Sequence, residues 1–348
     1  MSHFLSMQKR VTIQPSFDYR LLFKSFLNKS DHISLTMSNS GRSSFDLCLR
    51  TIKTLNKYKK ILIPDLVCSE IIPIIQKYKL DIIFYSIDNE LNPDINFIES
   101  NLKKESCILL CINYFGKASD WKSIFELKKK YDLIVLEDNA HSLFGSYQGI
   151  SYGDLGDISF NSLRKIIPVL SGSVLKSSKY NISNDEFKKR FLSFTEFKYS
   201  LRNLKFHSKN KYSDTYSHDK SIYDNLLSID FLSYKIFMYL QHKKDHISNQ
   251  RKLNYCYWTE FLNNSDLEQI DLSSADCPYA AAYLYNDITV CNKWLEWGRI
   301  NNINIIKWPL LPKIHSHSLK NKKLKNILLF PVNHMHDLKE IKLTYAKN

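Results

Sequence analysis

The sequence contains no long hydrophobic run. No stretch of about 18 apolar residues, the length expected of a membrane-spanning helix, occurs in its 348 residues. The first residues, MSHFLSMQKRVTIQ, lack the sustained apolar core of a signal peptide. We therefore expect a protein that does not span a membrane, with the cytoplasm as its default location.

Signatures of disulfide and metal chemistry are also lacking. The seven cysteines are scattered, form no CxxC pair and match no zinc-site spacing. Cys107 and Cys111 lie in an apolar run, where a free cysteine behaves as a small hydrophobic residue, so structural thiols are predicted. Four histidines form two HxH pairs without carboxylate or thiolate companions, which argues against a metal site: His315, His317, His334 and His336.

The charge balance is the feature that favours an anionic partner. Lys and Arg number 49 against 35 acidic residues, for a formal net charge of +14. The excess is spread over separate runs, and no RNA-binding signature or helix-turn-helix pattern accompanies it. We interpret these runs as solvated basic faces that would attract anionic substrates such as nucleotide diphosphates. A basic nucleic-acid-binding protein is the alternative from a different class.

Apolar and periodic segments alternate in a way that predicts an α/β fold. Runs of strand type occur at 60–64, 81–86, 107–112 and 133–136, with helical patterns between them. This alternation gives a mostly parallel central sheet with crossover helices. The glycine-rich loop at 145–156 lacks GxGxxG spacing, and no GxxxxGK(S/T) motif is present. A Rossmann dehydrogenase is therefore disfavoured.

Residues 132–175 are the segment around which the chain is organised. The apolar run 133–136 predicts a buried strand, and Glu137, Asp138 and His141 follow at its carboxyl end. A glycine-punctuated loop then leads to an extended segment over 157–162 and to Lys165. A carboxylate, an imidazole and a lysine are thus expected at the sheet edge where open α/β sheets bind ligands.

Pyridoxal 5′-phosphate (PLP) is a cofactor whose chemistry needs this set of groups. A lysine amine, here Lys165, holds it as a Schiff base, and a buried carboxylate, here Asp138, keeps its pyridine nitrogen protonated. His141 would lie near the phenolic oxygen, and Ser162 is a candidate phosphate ligand.

A second candidate phosphate site precedes the helical pattern that starts at Phe45. Ser40, Gly41 and Arg42 are the small and polar residues that mark a helix amino terminus. Such a terminus offers free N–H groups to a phosphate, although simple helix capping explains the same residues.

In their order, these residues resemble the DegT/DnrJ/EryC1 aminotransferases, the sugar-aminotransferase branch of the fold-type I PLP enzymes. The family motif Glu-Asp-x-Ala-(His/Gln) is matched at 137–141, and Gly156-Asp157, Ser162 and the lysine follow. The family's lysine segment, Ser-Phe-His-Pro-Thr-Lys, is two residues shorter here, and Gly172-Ser173 stands in for a glycine pair. The chain is identified as a divergent member with a Ser-x-Arg-Lys lysine motif.

The resemblance implies further site residues. Ser40-Gly41-Arg42-Ser43 matches the family's phosphate-binding Ser-Gly-Thr-Ala, with Arg in place of Thr. The family's ring-stacking aromatic residue aligns with Cys68, and His141 is expected to supply part of the stacking contact. The family's Gly-Tyr-Asn-Tyr-Arg loop, which reaches the partner subunit's site, is not found, and no role is assigned to residues 206–213.

The resemblance also implies the domain organisation and the activity. We expect an amino-terminal arm (1–35), a large PLP-binding domain (36–227), and a bridging helix with a small α+β domain (228–348), in a homodimer. The implied reaction moves an amino group from an amino acid, usually glutamate, to a keto sugar, expected to be nucleotide-linked. Such reactions make amino sugars for surface polysaccharides such as O-antigen.

Two related activities stay open beside transamination. A PLP-dependent sugar dehydratase shares the scaffold, but its known form has histidine in place of the lysine, so Lys165 disfavours it. A PLP-binding member that has lost activity, or that uses a non-sugar acceptor, is the other alternative.

Overall fold

The computed structural model describes residues 10–27, 35–182, 187, 188, 226–314, 319–341 and 343. Helix α1 (Tyr19–Leu27) precedes a large sheet with its covering helices. These elements are, in chain order, β1 (Thr36–Ser38), α2 (Gly41–Lys53), β2 (Lys60–Pro64), α3 (Ile72–Lys77), β3 (Asp81–Tyr85), α4 (Ile95–Leu102), β4 (Cys107–Ile112), α5 (Trp121–Lys130), β5 (Leu133–Asn139), β6 (Ser146–Tyr147), β7 (Ile150–Ser151), β8 (Ile158–Asn161), α6 (Leu163–Ile166) and β9 (Ser173–Ser177).

The large sheet has seven strands in the order β1-β9-β8-β5-β4-β2-β3. The neighbours from β8 to β3 are parallel, and β9 runs antiparallel to both β8 and β1. Every residue of β4 and β5 is buried, as expected for central parallel strands covered by helices on both faces. The predicted mostly parallel α/β sheet is confirmed.

Helices α2, α4 and α5 begin at side-chain caps. Ser40, Asp94 and Asp120 accept hydrogen bonds from backbone N–H groups three residues later, which satisfies donors that have no partner within the helix. Because each of these helices follows a strand or a short loop, the caps fix where the chain turns back across the sheet.

The second half of the chain builds a smaller lobe around a four-stranded antiparallel sheet in the order β10-β11-β13-β12. Its elements are α7 (Phe231–Gln241), α8 (Lys244–Phe261), β10 (Glu268–Gln269), β11 (Ala280–Leu284), α9 (Ile288–Ile300), β12 (Ile306–Trp308) and β13 (Ile327–Pro331). The ring of Phe330 packs against Trp258 and Trp294, with centroids 5.0 and 5.8 Å away, and forms the centre of this lobe.

One expectation for this half differs from the structure. The single bridging helix expected at the start of 228–348 is two helices, because the polar run from Gln241 to Asp245 interrupts the apolar period. The last helical element among the described residues is a single short turn at Leu338–Glu340.

Residues 10–14 pack against the small lobe. Val11 pairs with Ile303, and its N–H and C=O bond the carbonyl of Asn302 at 3.0 Å and the N–H of Asn304 at 2.8 Å. Within the described ranges, no helix is long and apolar enough to cross a bilayer.

Candidate active site

Glu137 anchors the loop that follows β5. Its carboxylate is fully buried and accepts the backbone N–H groups of Gly153, Leu155 and Gly156 at 2.8 to 3.1 Å. The side-chain amides of Asn113 and Asn139 donate to it as well. Burial raises the pKa of Glu137, and these hydrogen bonds oppose that shift. All of its contacts are structural, so Glu137 holds the glycine-rich loop under the sheet edge.

Asp138, the next residue of β5, faces the site. Its side chain is 7% exposed, and one carboxylate oxygen accepts the N–H of Ala140 at 2.8 Å. Burial raises its pKa to about 6, although the N–H of Ala140 and the charge of Lys165 favour the ionised form. A cationic partner placed against this carboxylate would stabilise its negative charge, which water cannot do at this buried position.

His141 lies inside a stack of rings. Phe115 covers one face at 5.4 Å between centroids and 11° between planes, and Tyr279 covers the other at 4.5 Å and 7°. Its Nδ1 is buried and has no hydrogen-bond partner among the described residues. Burial, with a smaller effect of Lys165, holds its pKa well below the usual range. The imidazole is therefore neutral, with only its edge available.

This geometry corrects one expectation. His141 was expected to share in stacking on the cofactor ring, but both of its faces are covered by other side chains. The predicted place near the phenolic oxygen, which needs only an edge nitrogen, is compatible with the stack.

The rings around His141 come from segments far apart in the chain. Phe115 adopts φ 54, an uncommon conformation for a residue other than glycine, and its carbonyl accepts the N–H of Tyr279 at 2.8 Å. Trp308 packs edge-on at 4.9 Å from Phe115 and 5.7 Å from His141. Trp294 and Trp297 belong to the small-lobe core, whereas Trp308 borders the site.

Lys165 lies on the short helix α6, directly after β8. Its Nζ is 5.8 Å from the centre of the Tyr279 ring, and no described residue forms an ion pair with it. Burial lowers its pKa, while the charge of Asp138 opposes that shift. A buried lysine of this kind carries more neutral amine than a solvated one, which favours nucleophilic chemistry.

The amino terminus of α2 lies against the strand that leads to Lys165. A Cβ on Gly41 would be 2.8 Å from the carbonyl oxygen of Asn161, so only glycine permits this approach. Gly172 accepts the N–H of Leu163 at 2.9 Å and donates to the carbonyl of Asn39 at 2.8 Å. Ser40, Gly41, Ser162 and Lys165 are therefore in one region.

Helix capping and phosphate binding both remain compatible with the Ser40 segment. The Ser40 hydroxyl caps α2 by accepting the N–H of Ser43 at 3.2 Å, while the helix amino terminus remains a positive end suited to a phosphate. The Arg42 guanidinium bonds the Glu70 carboxylate at 2.7 Å, so any phosphate contact at this position is expected from the backbone.

Cys68 borders the same region, between β2 and the turn at Ser69–Ile71. Its side chain reaches solvent, yet the surrounding protein raises the pKa of the thiol, with Lys165 and Arg42 opposing that shift. Cys68 is therefore close enough to Lys165 to feel its charge, but a thiol offers no aromatic surface for stacking.

The described residues fit PLP. Lys165 offers a nucleophilic amine without an ion pair, Asp138 a buried carboxylate in need of a cation, and His141 an unpartnered ring nitrogen. The amino terminus of α2 adds a place for the phosphate. No cluster of potential metal ligands occurs in the described part of the chain; His315, His317 and residues 206–213 lie outside it.

Sequence reasoning missed Tyr279 and the role of Phe115. Nothing in the residues next to Phe115 indicated a ring on His141. Tyr279 comes from the small lobe, and a contact between segments so distant has no signature in either of them.

Comparison with known proteins finds similar sequences and similar folds. Residues 21–174 match the model of the DegT/DnrJ/EryC1/StrS aminotransferase family. The UDP-4-amino-4,6-dideoxy-N-acetyl-beta-L-altrosamine transaminase of Campylobacter jejuni is 28% identical over 106 residues, 29% of this chain and 28% of its own length. The GDP-perosamine synthase of Escherichia coli O157:H7 is 26% identical over 145 residues, 41% of this chain and 39% of its own length. In sequence, the chain thus spans less than half the length of these relatives.

Solved structures match over nearly the whole chain. The Helicobacter pylori aminotransferase PseC superposes with a TM-score of 0.68 at 14% identity, covering 96% of both chains. The E. coli GDP-4-keto-6-deoxy-D-mannose-3-dehydratase with bound hydrated PLP gives 0.67 at 16% identity, covering 96% of this chain and 98% of that one. The predicted fold is confirmed, and residues 21–174 of this chain match the DegT/DnrJ/EryC1/StrS aminotransferase family.

Proposed function

We propose that this chain is a PLP-dependent aminotransferase that moves an amino group from an amino acid, with glutamate as the expected donor, to a nucleotide-linked keto sugar. The product would serve amino-sugar biosynthesis for surface polysaccharide. The observation that carries the proposal is that Asp138 and His141 are buried and that the Nζ of Lys165 lies 5.8 Å from the Tyr279 ring that stacks on His141, beside a helix amino terminus.

Each residue supports a distinct part of this chemistry. When bound, PLP supplies an electron sink that makes the Cα proton of the donor removable. Lys165 would attach the cofactor and then, at Nζ, accept the Cα proton of the donor and pass it to the cofactor, which its lowered pKa favours. Asp138 keeps the ring nitrogen protonated, and the neutral edge of His141 hydrogen-bonds the phenolic oxygen. The α2 amino terminus and Ser162 hold the phosphate.

Lys165 also bears on the choice between activities. The relatives include transaminases and a dehydratase, so the fold alone does not separate these reactions. A lysine that can carry the cofactor and exchange a proton is what transamination requires. The spread of the positive charge supports an anionic, nucleotide-linked acceptor and gives no specific support to nucleic-acid binding.

Covalent capture tests the cofactor assignment. Wild-type protein with added PLP should show a visible absorbance band, and borohydride should fix the cofactor to the peptide that contains Lys165. Lys165→Ala should lose this fixation. Lys176→Ala is the matched control, because Lys176 lies on the neighbouring strand β9 and pairs with Asp154 at the surface. Failure of wild-type protein to bind PLP would overturn the proposed function.

The substrates need a separate test. Glutamate should bleach the visible band of the wild-type protein, and a nucleotide-linked keto sugar should restore it. Restoration by a keto acid other than 2-oxoglutarate, which only reverses the glutamate step, but by no keto sugar would point to the non-sugar acceptor. Bound PLP that never responds to amino acids would point to a member without activity.

The homodimer belongs to the same proposal. Light scattering should give about twice the 41.0 kDa mass of one chain, and a monomer of full activity would contradict it.

A further inference from the structure

Arg251 is a buried cation whose contacts are all backbone carbonyls. It lies on α8 with 0% of its surface exposed, and its guanidinium donates to the carbonyls of Ile166 at 2.9 Å, Pro278 at 3.1 Å and Tyr279 at 3.3 Å. Within the described ranges no carboxylate pairs with it. Burying a guanidinium without a counter-ion is unfavourable.

The three carbonyls belong to two segments that both border Lys165. Ile166 is the next residue and the last of α6, where a backbone carbonyl has no partner within the helix. Tyr279 belongs to the segment leading into β11, and its ring stacks on His141 and lies 5.8 Å from Lys165 Nζ. One side chain therefore ties the helix that carries the lysine to the segment that carries the ring.

The planar guanidinium suits this task. Its N–H donors are held in a rigid fork, so carbonyls that bind different nitrogens of the group are fixed relative to one another. Nη2 donates to the carbonyl of Ile166, the residue after Lys165. Nη1 donates to the carbonyls of Pro278 and Tyr279. A lysine ammonium could replace some of these bonds but not the fork.

We propose that Arg251 is a positioning residue: it sets α6 against the Tyr279–His141 stack and thereby places Lys165 Nζ for covalent attachment of the cofactor. The proposal rests on the proposed function for the identity of that cofactor. It assigns Arg251 no contact with cofactor or substrate.

Three variants of the full-length protein test it. Arg251→Met removes the charge and all donors at similar length, and Arg251→Lys keeps the charge and part of the donor capacity. Trp258→Phe is the matched control. Trp258 is fully buried on the same helix and also donates to a backbone carbonyl, that of Pro331 at 2.7 Å, in the small-lobe core.

The first readout is the rate at which borohydride-fixable PLP appears on Lys165, measured at equal folded fraction. Arg251→Met should be slower by about tenfold or more, the factor expected when one buried hydrogen-bonding group loses its partner. Arg251→Lys should recover a large part of the rate. Trp258→Phe should match wild type despite its lower stability.

The second readout needs no cofactor. Amide exchange in Arg251→Met should speed up for the N–H groups of Ile167 and Tyr279, which bond the carbonyls of Leu163 and Phe115. In Trp258→Phe it should not change at those amides. If wild-type protein takes up no PLP, the proposed function fails while the exchange data still decide the positioning claim. The claim would be overturned if a folded Arg251→Met variant showed the wild-type rate of PLP attachment and wild-type amide exchange. If Arg251→Met does not fold, the same two results for Arg251→Lys would overturn it.

Discussion

The imidazole of His141 and the phenol ring of Tyr279 lie parallel, 4.5 Å apart between centroids. His141 follows the central strand β5, whereas Tyr279 belongs to the small lobe, so the stack is a direct contact between the sheet edge and that lobe. Gln14, in the segment that packs on the small lobe, also reaches the Tyr279 hydroxyl at 3.4 Å. The orientation of His141 thus depends on how the small lobe packs against the edge of the large sheet.

Tyr279→Leu should weaken PLP binding by about tenfold, because aromatic pairs contribute about 0.5–1.5 kcal/mol and the free histidine must be reoriented. The dissociation constant is measured by titrating the visible band. Tyr283→Leu is the control: Tyr283 is also buried in the small lobe but packs on Phe330, away from the site. Equal weakening by both variants would mean that the effect comes from the lobe's stability and not from the stack.

Glu137→Gln should lower the free energy of unfolding by about 3 kcal/mol. The amide NH₂ would face backbone N–H groups that now donate to a carboxylate, leaving buried donors without an acceptor. Urea unfolding measures the loss. Glu126→Gln, at an exposed ion pair with Lys129, should leave stability unchanged. A Glu137→Gln protein as stable as wild type would show that the loop is anchored elsewhere.

The sequence predicted the parts of the site that are encoded locally. The apolar run 133–136 and the polar residues after it place Asp138 at a sheet edge, and the glycines and serines around Gly41 and Ser162 follow from the same strand and helix ends. The physical reason is that strand burial and helix caps depend on near neighbours.

Contacts between distant segments were not predictable in this way. Tyr279, Trp308 and Arg251 reach the site only through the packing of the small lobe, and none has a local pattern that differs from an ordinary core residue. The break between α7 and α8 was missed because an apolar period on both sides hides a short polar interruption.

Asp138 should make the cofactor-free protein less stable as the pH rises. Its folded-state pKa of about 6 lies above the ordinary aspartate value of 3.8, so the native state binds more protons than the unfolded state between these values. The contribution of Asp138 to the free energy of unfolding is therefore lost as the pH rises through about 6. The loss amounts to about 2–3 kcal/mol.

Comparison with Asp138→Asn isolates this effect from other carboxylates. Both cofactor-free proteins are unfolded in urea from about pH 4.5 to about pH 7.5. The free energy of unfolding of Asp138→Asn should rise relative to that of wild type as the pH increases. Asp154→Asn, at a half-exposed ion pair, should follow wild type throughout. A pH-independent difference between wild type and Asp138→Asn would mean that Asp138 is already ionised at the lower pH.

Gly41→Ala should lower PLP affinity more than it lowers stability. The added Cβ would lie 2.8 Å from the Asn161 carbonyl oxygen, and since backbone cannot move aside as a side chain can, the amino terminus of α2 must shift away from the strand that leads to Lys165. A displaced terminus no longer directs its N–H groups at the phosphate. Gly149→Ala is the control, because Gly149 has a φ of +82 but nothing within 4 Å of an added Cβ. That variant carries only the backbone cost of a left-handed alanine, so it should lower the melting temperature and leave the PLP dissociation constant unchanged. If Gly41→Ala behaves in the same way, the phosphate is held by other groups, and Ser40, Gly41 and Arg42 serve only to start the helix.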